Sequence, residues 1–191
     1  KLSMGVLGKH LLNCADAYAA ERGFDVVEQE GEHYTWVLSR LAIELEDLPS
    51  CHESFSIQTW VENVYRLFAD RNFVICNKDE KPIGYVRSVW AMISMETRNP
   101  ANLLGLYGDR ITNSICEKEC PIAKPGRIKV SQQEAVSEYV AKYSDLDING
   151  HVNSIKYIEH ILDIFPLYTF KKRDLKRFEI AYVAESYYND V

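Results

Sequence analysis

Residues 4–22 read MGVLGKHLLNCADAYAAER, and the expected fold is built outward from this stretch. Its apolar side chains recur at the spacing of one helical face, so it predicts an amphipathic helix that buries that face. Gly23 follows directly, at the position where a glycine commonly ends a helix. The residues of the apolar stripe are Leu7, Leu11, Ala15 and Tyr18.

After this helix the hydrophobic period changes to that of a strand. From residue 34 the chain becomes extended, and Leu41, Ile43 and Leu45 alternate with Ala and Glu in a half-buried strand that ends at Pro49. Three more strands are predicted over 55–61, 67–76 and 84–95. One helix followed by several long strands indicates an α+β fold with an antiparallel sheet.

The second half of the chain repeats the order of helix and then strand. Residues 98–126 hold prolines and glycine but no periodic pattern, so they are the candidate linker. The predicted elements that follow are an extended stretch over 127–143, a helix over 152–165 stopped by Pro166, and a strand over 177–185.

These patterns predict two modules, at residues 1–110 and 127–191, joined by a linker at 111–126, the second part of the 98–126 region. The second module shows one strand after its helix, fewer than the first. A sheet broken at that point would expose an edge and leave its core uncovered. We therefore expect further strands after Val191 and allow for one before Lys1.

Composition and charge exclude several classes of protein. The 191 residues are 47% hydrophobic with a net charge of −6, and no stripe of basic and aromatic residues appears, so a nucleic-acid binder is not expected. No apolar run approaches the ~18 residues of a membrane span, and the first residues lack the pattern of a signal peptide. Five cysteines, an odd number, fit reduced thiols and a cytoplasmic protein.

One cluster of positive charge stands out in this acidic chain. Five basic residues fall within seven positions, and they are Lys171, Lys172, Arg173, Lys176 and Arg177. A solvated loop is the simpler interpretation of such a run. The functional interpretation is a docking surface for an acidic partner.

The residues that carry chemistry lie within 143–157, at the junction of a strand and a helix. Backbone N–H groups at a helix start lack partners within the helix, and the dipole is positive there, so a developing oxyanion is stabilised. Each residue also has a structural interpretation as a turn former, a helix cap or a structural histidine. The residues alone leave both interpretations open. The candidates are Asp145, Asp147, Asn149, His151 and Asn153.

The run SDLDINGHVN at residues 144–153 resembles the signature of plant-type acyl-acyl-carrier-protein thioesterases, which bacterial homologues share. A shorter part of it, the two aspartates with GHVN at 150–153, also resembles single-module hot-dog acyl-CoA thioesterases. The resemblance to the carrier-protein family covers nearly the whole chain. Three further segments match that family's first module in order and spacing, at 36–40, 59–61 and 87–92.

This resemblance implies a tandem hot-dog fold, in which each module wraps an antiparallel sheet around a long helix and the two modules form an internal pseudo-dimer. The first module is implied to hold the acyl chain and the second to carry catalysis. The family's catalytic Asp, Asn, His and Glu fall on Asp147, Asn149, His151 and Glu185. The Cys that follows the Glu in the plant pattern is Ser186 here, so a mechanism with a cysteine nucleophile does not transfer.

The implied reaction is hydrolysis of a fatty acyl thioester carried on the phosphopantetheine of an acyl carrier protein. We hypothesise that Glu185 and His151 activate water, while Asn149 orients the water or the carbonyl. Asp147 is expected to fix the His tautomer and the local backbone. Ser186 as a nucleophile stays open.

Two other functions are kept as alternatives. One is an acyl-CoA thioesterase or another hot-dog acyl-thioester enzyme, and the other, less favoured, is a non-catalytic acyl-binding module. No metal or cofactor is expected, because Cys116 and Cys120 have no second pair of ligands nearby. Association of two copies beyond the pseudo-dimer stays open.

Overall fold

The computed structural model describes residues 1–25, 27–29, 31–128, 137–172 and 174–191. The helices are α1 (Met4–Glu21), α2 (Leu103–Tyr107), α3 (Asp109–Thr112), α4 (Ser154–Asp163) and α5 (Leu167–Lys172), with a 3₁₀ turn at Tyr143–Asp145. The strands are β1 (Val27–Gln29), β2 (Glu32–Leu45), β3 (Phe55–Val64), β4 (Phe68–Asn77), β5 (Pro82–Ser94) and β6 (Arg177–Ala181). The predicted α+β class and the antiparallel sheet are confirmed.

Helix α1 begins and ends where its sequence predicts. The hydroxyl oxygen of Ser3 accepts a hydrogen bond from the Val6 amide at 3.3 Å, which caps the first turn. Gly23 lies just beyond the last turn with φ +64°, a left-handed conformation that costs glycine little. Of the predicted stripe, three residues are buried and Tyr18 is half-buried. Burial of a leucine such as Leu7, which is 0% exposed, contributes roughly 1.5–3 kcal/mol.

The sheet curls around α1 in the strand order β1-β2-β5-β4-β3, with every pair antiparallel. Its longest pairing, between β2 and β5, runs from Tyr34 opposite Ser94 to Leu45 opposite Gly84. The main core lies between this sheet and α1. Its buried members include Leu7, Leu11, Leu41, Ile43, Phe73, Ile75 and Val86.

Strand β6 from the second half of the chain joins the same sheet. It pairs antiparallel with β2, from Arg40 opposite Ala181 to Glu44 opposite Arg177. Ile180 and Ile158 are buried in the core that α1 and the first strands build. The two halves therefore share one sheet and one core.

Helices α1 and α4 approach each other closely at a glycine. A Cβ atom on Gly8 would lie 2.6 Å from Cδ1 of Ile155, so a larger residue there would force the Ile155 side chain to move. Ile155 and Ile158 enter the core through this contact. The close approach places the start of α4 beside the first half of the chain.

The segment 98–126 is more ordered than its sequence predicts. It contains α2 and α3, whose Leu103, Tyr107 and Ile111 are buried. These helices have five and four residues, too short for a hydrophobic period to be recognised. Beyond them the chain crosses the sheet, where the Trp60 indole donates to the Lys118 carbonyl at 2.7 Å.

The other differences concern element lengths. The predicted helix over 152–165 and strand over 177–185 are observed as the shorter α4 and β6. In the described part of the extended stretch, 127–128 and 137–142, no strand forms, and residues 129–136 lie outside the described ranges. None of the helices in the described ranges has the length and apolar character needed to cross a bilayer.

Candidate functional site

The motif at residues 147–151 forms a tight turn organised by one aspartate. Oδ1 of Asp147 accepts hydrogen bonds from the backbone N–H groups of Asn149 at 2.8 Å and His151 at 3.1 Å. The Asp147 amide donates to the His151 carbonyl at 2.7 Å. Gly150 has φ +81° within this turn, a conformation that favours glycine. Asp147 therefore fixes the backbone that carries Asn149 and His151.

Asn153 is the N-cap of α4. Its side-chain oxygen accepts from the Ile155 amide at 2.9 Å, and its own amide donates to the Asp145 carbonyl at 2.8 Å. Through these contacts Asn153 stabilises the start of the helix. Of the two interpretations that its sequence left open, the cap is the one observed.

Most backbone amides at the start of α4 are already engaged. The amides of Val152, Asn153, Ile155 and Lys156 donate to acceptors within the protein. Among the described residues, the Ser154 amide has no protein acceptor, and Ser154 lines the groove described below. Of the backbone amides at this helix start, the Ser154 amide is therefore the candidate donor for the predicted oxyanion site.

His151 faces a carboxylate from beyond β6. Its Nε2 lies 3.8 Å from Oε2 of Glu185, and the two side chains are 18% and 35% exposed. This separation exceeds a hydrogen bond, and catalytic contacts commonly tighten only when substrate is bound. In the described part of the chain Glu185, not Asp147, is the ionic partner of the imidazole, so the contacts do not support the tautomer role expected of Asp147.

Two further residues adjoin this pair, and sequence reasoning had missed both. The Arg98 guanidinium forms an ion pair with Oε1 of Glu185. The ring of Tyr187 meets the His151 imidazole edge-on, with centroids 5.0 Å apart. Arg98 lies in a segment without periodic pattern, so no sequence signal pointed to it.

A groove with a volume of about 490 Å³ opens beside the histidine. One wall is mainly apolar and comes from α1, β2 and β5, through Leu12, Ala19, Trp36, Leu38 and Trp90. The opposite wall carries the predicted site residues Asp147, Asn149, His151, Asn153 and Glu185. A smaller cavity of about 40 Å³, beneath α1, shares Ala19, Trp36 and Trp90 with the groove. The structure thus brings polar reactive groups to one side of a groove whose other side is mainly apolar.

Asp145 lies on the other side of the turn at residues 147–151, the site turn, and is 2% exposed. Its carboxylate accepts from the Lys142 amide at 2.8 Å and the Tyr139 hydroxyl at 2.9 Å, and His160 Nε2 lies 3.1 Å away. Burial alone disfavours the charged form, but these hydrogen bonds and the neighbouring imidazole hold the pKa of Asp145 below its usual value. His160, also missed from the sequence, completes this cluster.

Ser186 is placed away from the groove. Its carbonyl accepts from the Val152 amide at 2.8 Å. Ser186 lines a second cavity of about 520 Å³, together with Tyr139 and His160, and is not among the described residues that line the groove. The residue that replaces the plant cysteine therefore lies in the cavity of Tyr139 and His160.

Two side chains of the basic cluster, Lys176 and Arg177, already make contacts within the protein. Arg177 forms ion pairs with Glu44 and Glu179, so it stabilises the β2–β6 pairing rather than standing as a free cation. Lys176 Nζ donates to the Glu46 carbonyl at 3.1 Å. Lys171 is exposed. The Lys172 side chain and Arg173 lie outside the described residues.

Two family models match the chain. One, described as the acyl-ACP thioesterase N-terminal domain, covers residues 1–107, and the other, described as the acyl-ACP thioesterase C-terminal domain, covers 128–191.

A similar curated protein is the chloroplastic palmitoyl-acyl carrier protein thioesterase of Gossypium hirsutum, 25% identical over 180 residues, or 91% of this chain and 44% of that protein. Oleoyl-acyl carrier protein thioesterase 2 of Arabidopsis thaliana is 28% identical over 171 residues, or 83% and 46%. The chain spans about half the length of these curated relatives.

Solved structures show the same likeness. An acyl-ACP thioesterase from Bacteroides thetaiotaomicron is 59% identical with a TM-score of 0.90, over 100% of this chain and 76% of that one. The 12:0-ACP thioesterase from Umbellularia californica shares the fold, with 18% identity and a TM-score of 0.78 over 97% of this chain and 76% of its own.

Proposed function

The chain belongs to the acyl-ACP thioesterase family, and on that premise we propose that it hydrolyses the thioester of a fatty acyl-acyl carrier protein. The products are a free fatty acid and the carrier protein, and the reaction terminates fatty acid synthesis. The observation that carries this proposal is the His151–Glu185 pair at the edge of the apolar groove between α1, β2 and the site turn. Such a groove can hold an alkyl chain while its thioester lies against polar groups.

We further propose that the chain is a tandem hot-dog with modules at 1–110 and 127–191 and a linker at 111–126. The shared sheet, in which β6 pairs with β2, supports an internal pseudo-dimer of the two modules. The packing of α4 against α1 at Gly8 supports it as well, because each module then contributes one helix. The first module supplies the apolar wall of the groove and the second supplies the reactive groups.

In the proposed mechanism, water attacks the thioester carbonyl. Glu185 and His151 take the proton from the attacking water, and the new C–O bond pushes the carbonyl electrons onto oxygen. Collapse of the tetrahedral intermediate breaks the C–S bond. A thiol with a pKa of ~8.5 leaves as thiolate with little help from an acid, and then takes up the proton that the Glu185–His151 pair had accepted. The enzyme must therefore mainly activate water and hold the oxyanion.

The oxyanion would be held by two groups that line the groove. The Ser154 amide, free of a protein acceptor in the described part of the chain, points to one donor at the positive end of α4. The side-chain amide of Asn149 is the other candidate donor, since the Asp147 turn fixes its backbone. Asp147 acts through this turn.

Turnover of one acyl chain on different carriers tests the function. We expect a higher kcat/KM for the acyl group on carrier protein than on CoA. Preference for CoA would instead identify an acyl-CoA thioesterase. Binding of the acyl group without hydrolysis on either carrier would identify an acyl-binding module.

Docking of the carrier protein is proposed at the basic cluster. Both proteins are acidic, so a local positive surface must guide their encounter. Changing Lys172 and Arg173 to Glu should raise KM for acyl-carrier protein, and added salt should shrink the effect. Acyl-pantetheine should be turned over as before. Lys78→Glu, an exposed change in the β4–β5 turn, is the matched control. Equal losses on both substrates would contradict docking.

We also propose that the enzyme acts in the cytoplasm, in fatty acid biosynthesis. The five cysteines, which the structure shows as free thiols, support a reducing compartment. Whether two copies of the chain associate is a separate question, which size-exclusion chromatography with light scattering would answer.

A further inference from the structure

Arg98 occupies an unusual backbone conformation in the turn that follows β5. Its φ is +59°, in the left-handed region that residues other than glycine adopt at a cost. The turn holds it there, since the Arg98 amide donates to the Ser94 carbonyl at 3.0 Å. Ser94 is itself buried, and its hydroxyl oxygen accepts from the Thr97 amide at 3.0 Å. Such conformations persist where surrounding contacts impose them, and they cluster at functional sites.

This turn directs the Arg98 guanidinium across the groove to the opposite wall. The guanidinium binds Oε1 of Glu185, while Oε2 of the same carboxylate faces Nε2 of His151. The two carboxylate oxygens are thus divided between a cation from the first half of the chain and the imidazole. Arg98 is also the one Arg or Lys that lines the groove among the described residues.

Stability alone does not explain this ion pair. The side chains of Arg98 and Glu185 are 32% and 35% exposed, and pairs that exposed to water usually contribute little to folding. The pair does restrict geometry, because a glutamate side chain has three rotatable bonds and the guanidinium binds the carboxylate at their end. A guanidinium is planar and always charged, so it fixes a carboxylate more firmly than an ammonium does.

We propose that Arg98 is a positioning residue for the hydrolysis, acting through Glu185. It holds the carboxylate so that Oε2 remains directed at His151 and at the attacking water. This inference rests on the proposed function, since it assigns Glu185 to water activation. It adds a residue from the first half of the chain to the reactive side of the groove.

The test uses Arg98→Gly, because glycine suits φ +59° and removes the guanidinium without straining the turn. We expect kcat on acyl-carrier protein to fall about 10- to 100-fold, since a misplacement of about 1 Å at the reacting groups can cost about 10²-fold. KM should change little. Added guanidinium ion should restore part of kcat, and Arg98→Lys should retain an intermediate value. Glu80→Gly is the matched control, because Glu80 is exposed, has φ +58° and lies outside the groove.

Combination with Glu185→Gln separates positioning from other roles. If Arg98 acts through Glu185, the double variant should be no slower than Glu185→Gln alone. Wild-type kcat in Arg98→Gly, or full additivity in the double variant, would overturn the inference while leaving the proposed function intact. If the wild-type protein does not hydrolyse acyl-carrier protein, the proposed function fails and this inference falls with it.

Discussion

Two carboxylate–histidine pairs lie beside α4, and they differ in burial and surroundings. In the first, Asp145 is 2% exposed and stands 3.1 Å from His160. In the second, Glu185 is 35% exposed and stands 3.8 Å from His151. Each pair has a tyrosine, since Tyr139 stacks on His160 with ring centroids 3.7 Å apart and Tyr187 meets His151 edge-on.

The difference separates a structural pair from a reactive one. Asp145 is 2% exposed and already contacts the Lys142 amide, the Tyr139 hydroxyl and the neighbouring imidazole, so it has little capacity left for substrate. Glu185 and His151 instead line the groove and retain open positions. A buried and satisfied carboxylate stabilises the loop, whereas a half-exposed one can take a proton from water.

The largest expected effect comes from breaking the reactive pair. His151→Ala and Glu185→Gln should each lower kcat on acyl-carrier protein by ~10²–10⁴-fold, the usual contribution of general acid–base catalysis. Thermal unfolding should change little, because neither side chain is fully buried. Steady-state kinetics with a melting curve for each variant measures both.

His160→Ala is the matched change in the structural pair. It should lower the melting temperature. At a temperature where the variant is folded, its kcat should stay close to that of the wild type. A folded His151→Ala protein with wild-type kcat would contradict the catalytic role of His151, and a loss of kcat in a folded His160→Ala protein would then reverse the assignment of the pairs.

The next effect is on stability. Asp145→Asn should reduce the free energy of unfolding by about 1–3 kcal/mol, because it leaves hydrogen-bond donors around a buried group poorly matched. Since the folded chain holds the pKa of Asp145 below its usual value, the ionised group stabilises the fold above about pH 5. That contribution is lost as pH falls below about 4.

Urea unfolding at several pH values tests this sign. The difference in the free energy of unfolding between wild type and Asp145→Asn should be largest near neutral pH and should become smaller in acid. A difference that stays constant from pH 7 to about pH 3 would mean that the charge of Asp145 does not stabilise the fold.

How far the sequence could predict this arrangement depends on how local each feature is. The hydrophobic period of α1 and of β2 to β6 is a local property, and those elements were predicted, whereas β1 has three residues and was not. The helices α2 and α3 span about one turn each, so no period develops. The motif located the site turn, but Asp145 and His160 are 15 positions apart and Arg98 and Glu185 are 87 apart. Only the folded chain shows which charges face each other.

A smaller effect is expected from the tyrosines of the two pairs. Tyr139→Phe removes the hydroxyl that donates to Asp145, so the melting temperature should fall by less than in Asp145→Asn. Tyr187→Phe keeps its ring against His151 and loses a hydroxyl with no protein partner in the described part of the chain, so stability and kcat should hardly change. Calorimetry and kinetics on the two variants compare them directly. A greater loss of stability in Tyr187→Phe would contradict the contrast between the pairs.

The smallest expected effect is that of Ser186→Ala. The residue follows Glu185 directly, yet it lines the cavity of Tyr139 and His160, and its structural bond is made by the backbone carbonyl. Alanine keeps that carbonyl, so the Val152 amide retains its acceptor and kcat should stay close to wild type. A nucleophilic serine would require a base within hydrogen-bond reach and access to the thioester in the groove. Rapid quenching followed by mass spectrometry of the intact protein would reveal a covalent acyl-serine. Its appearance, together with an inactive Ser186→Ala protein, would replace the water mechanism and move the chemistry to the side of the turn that we assign to structure.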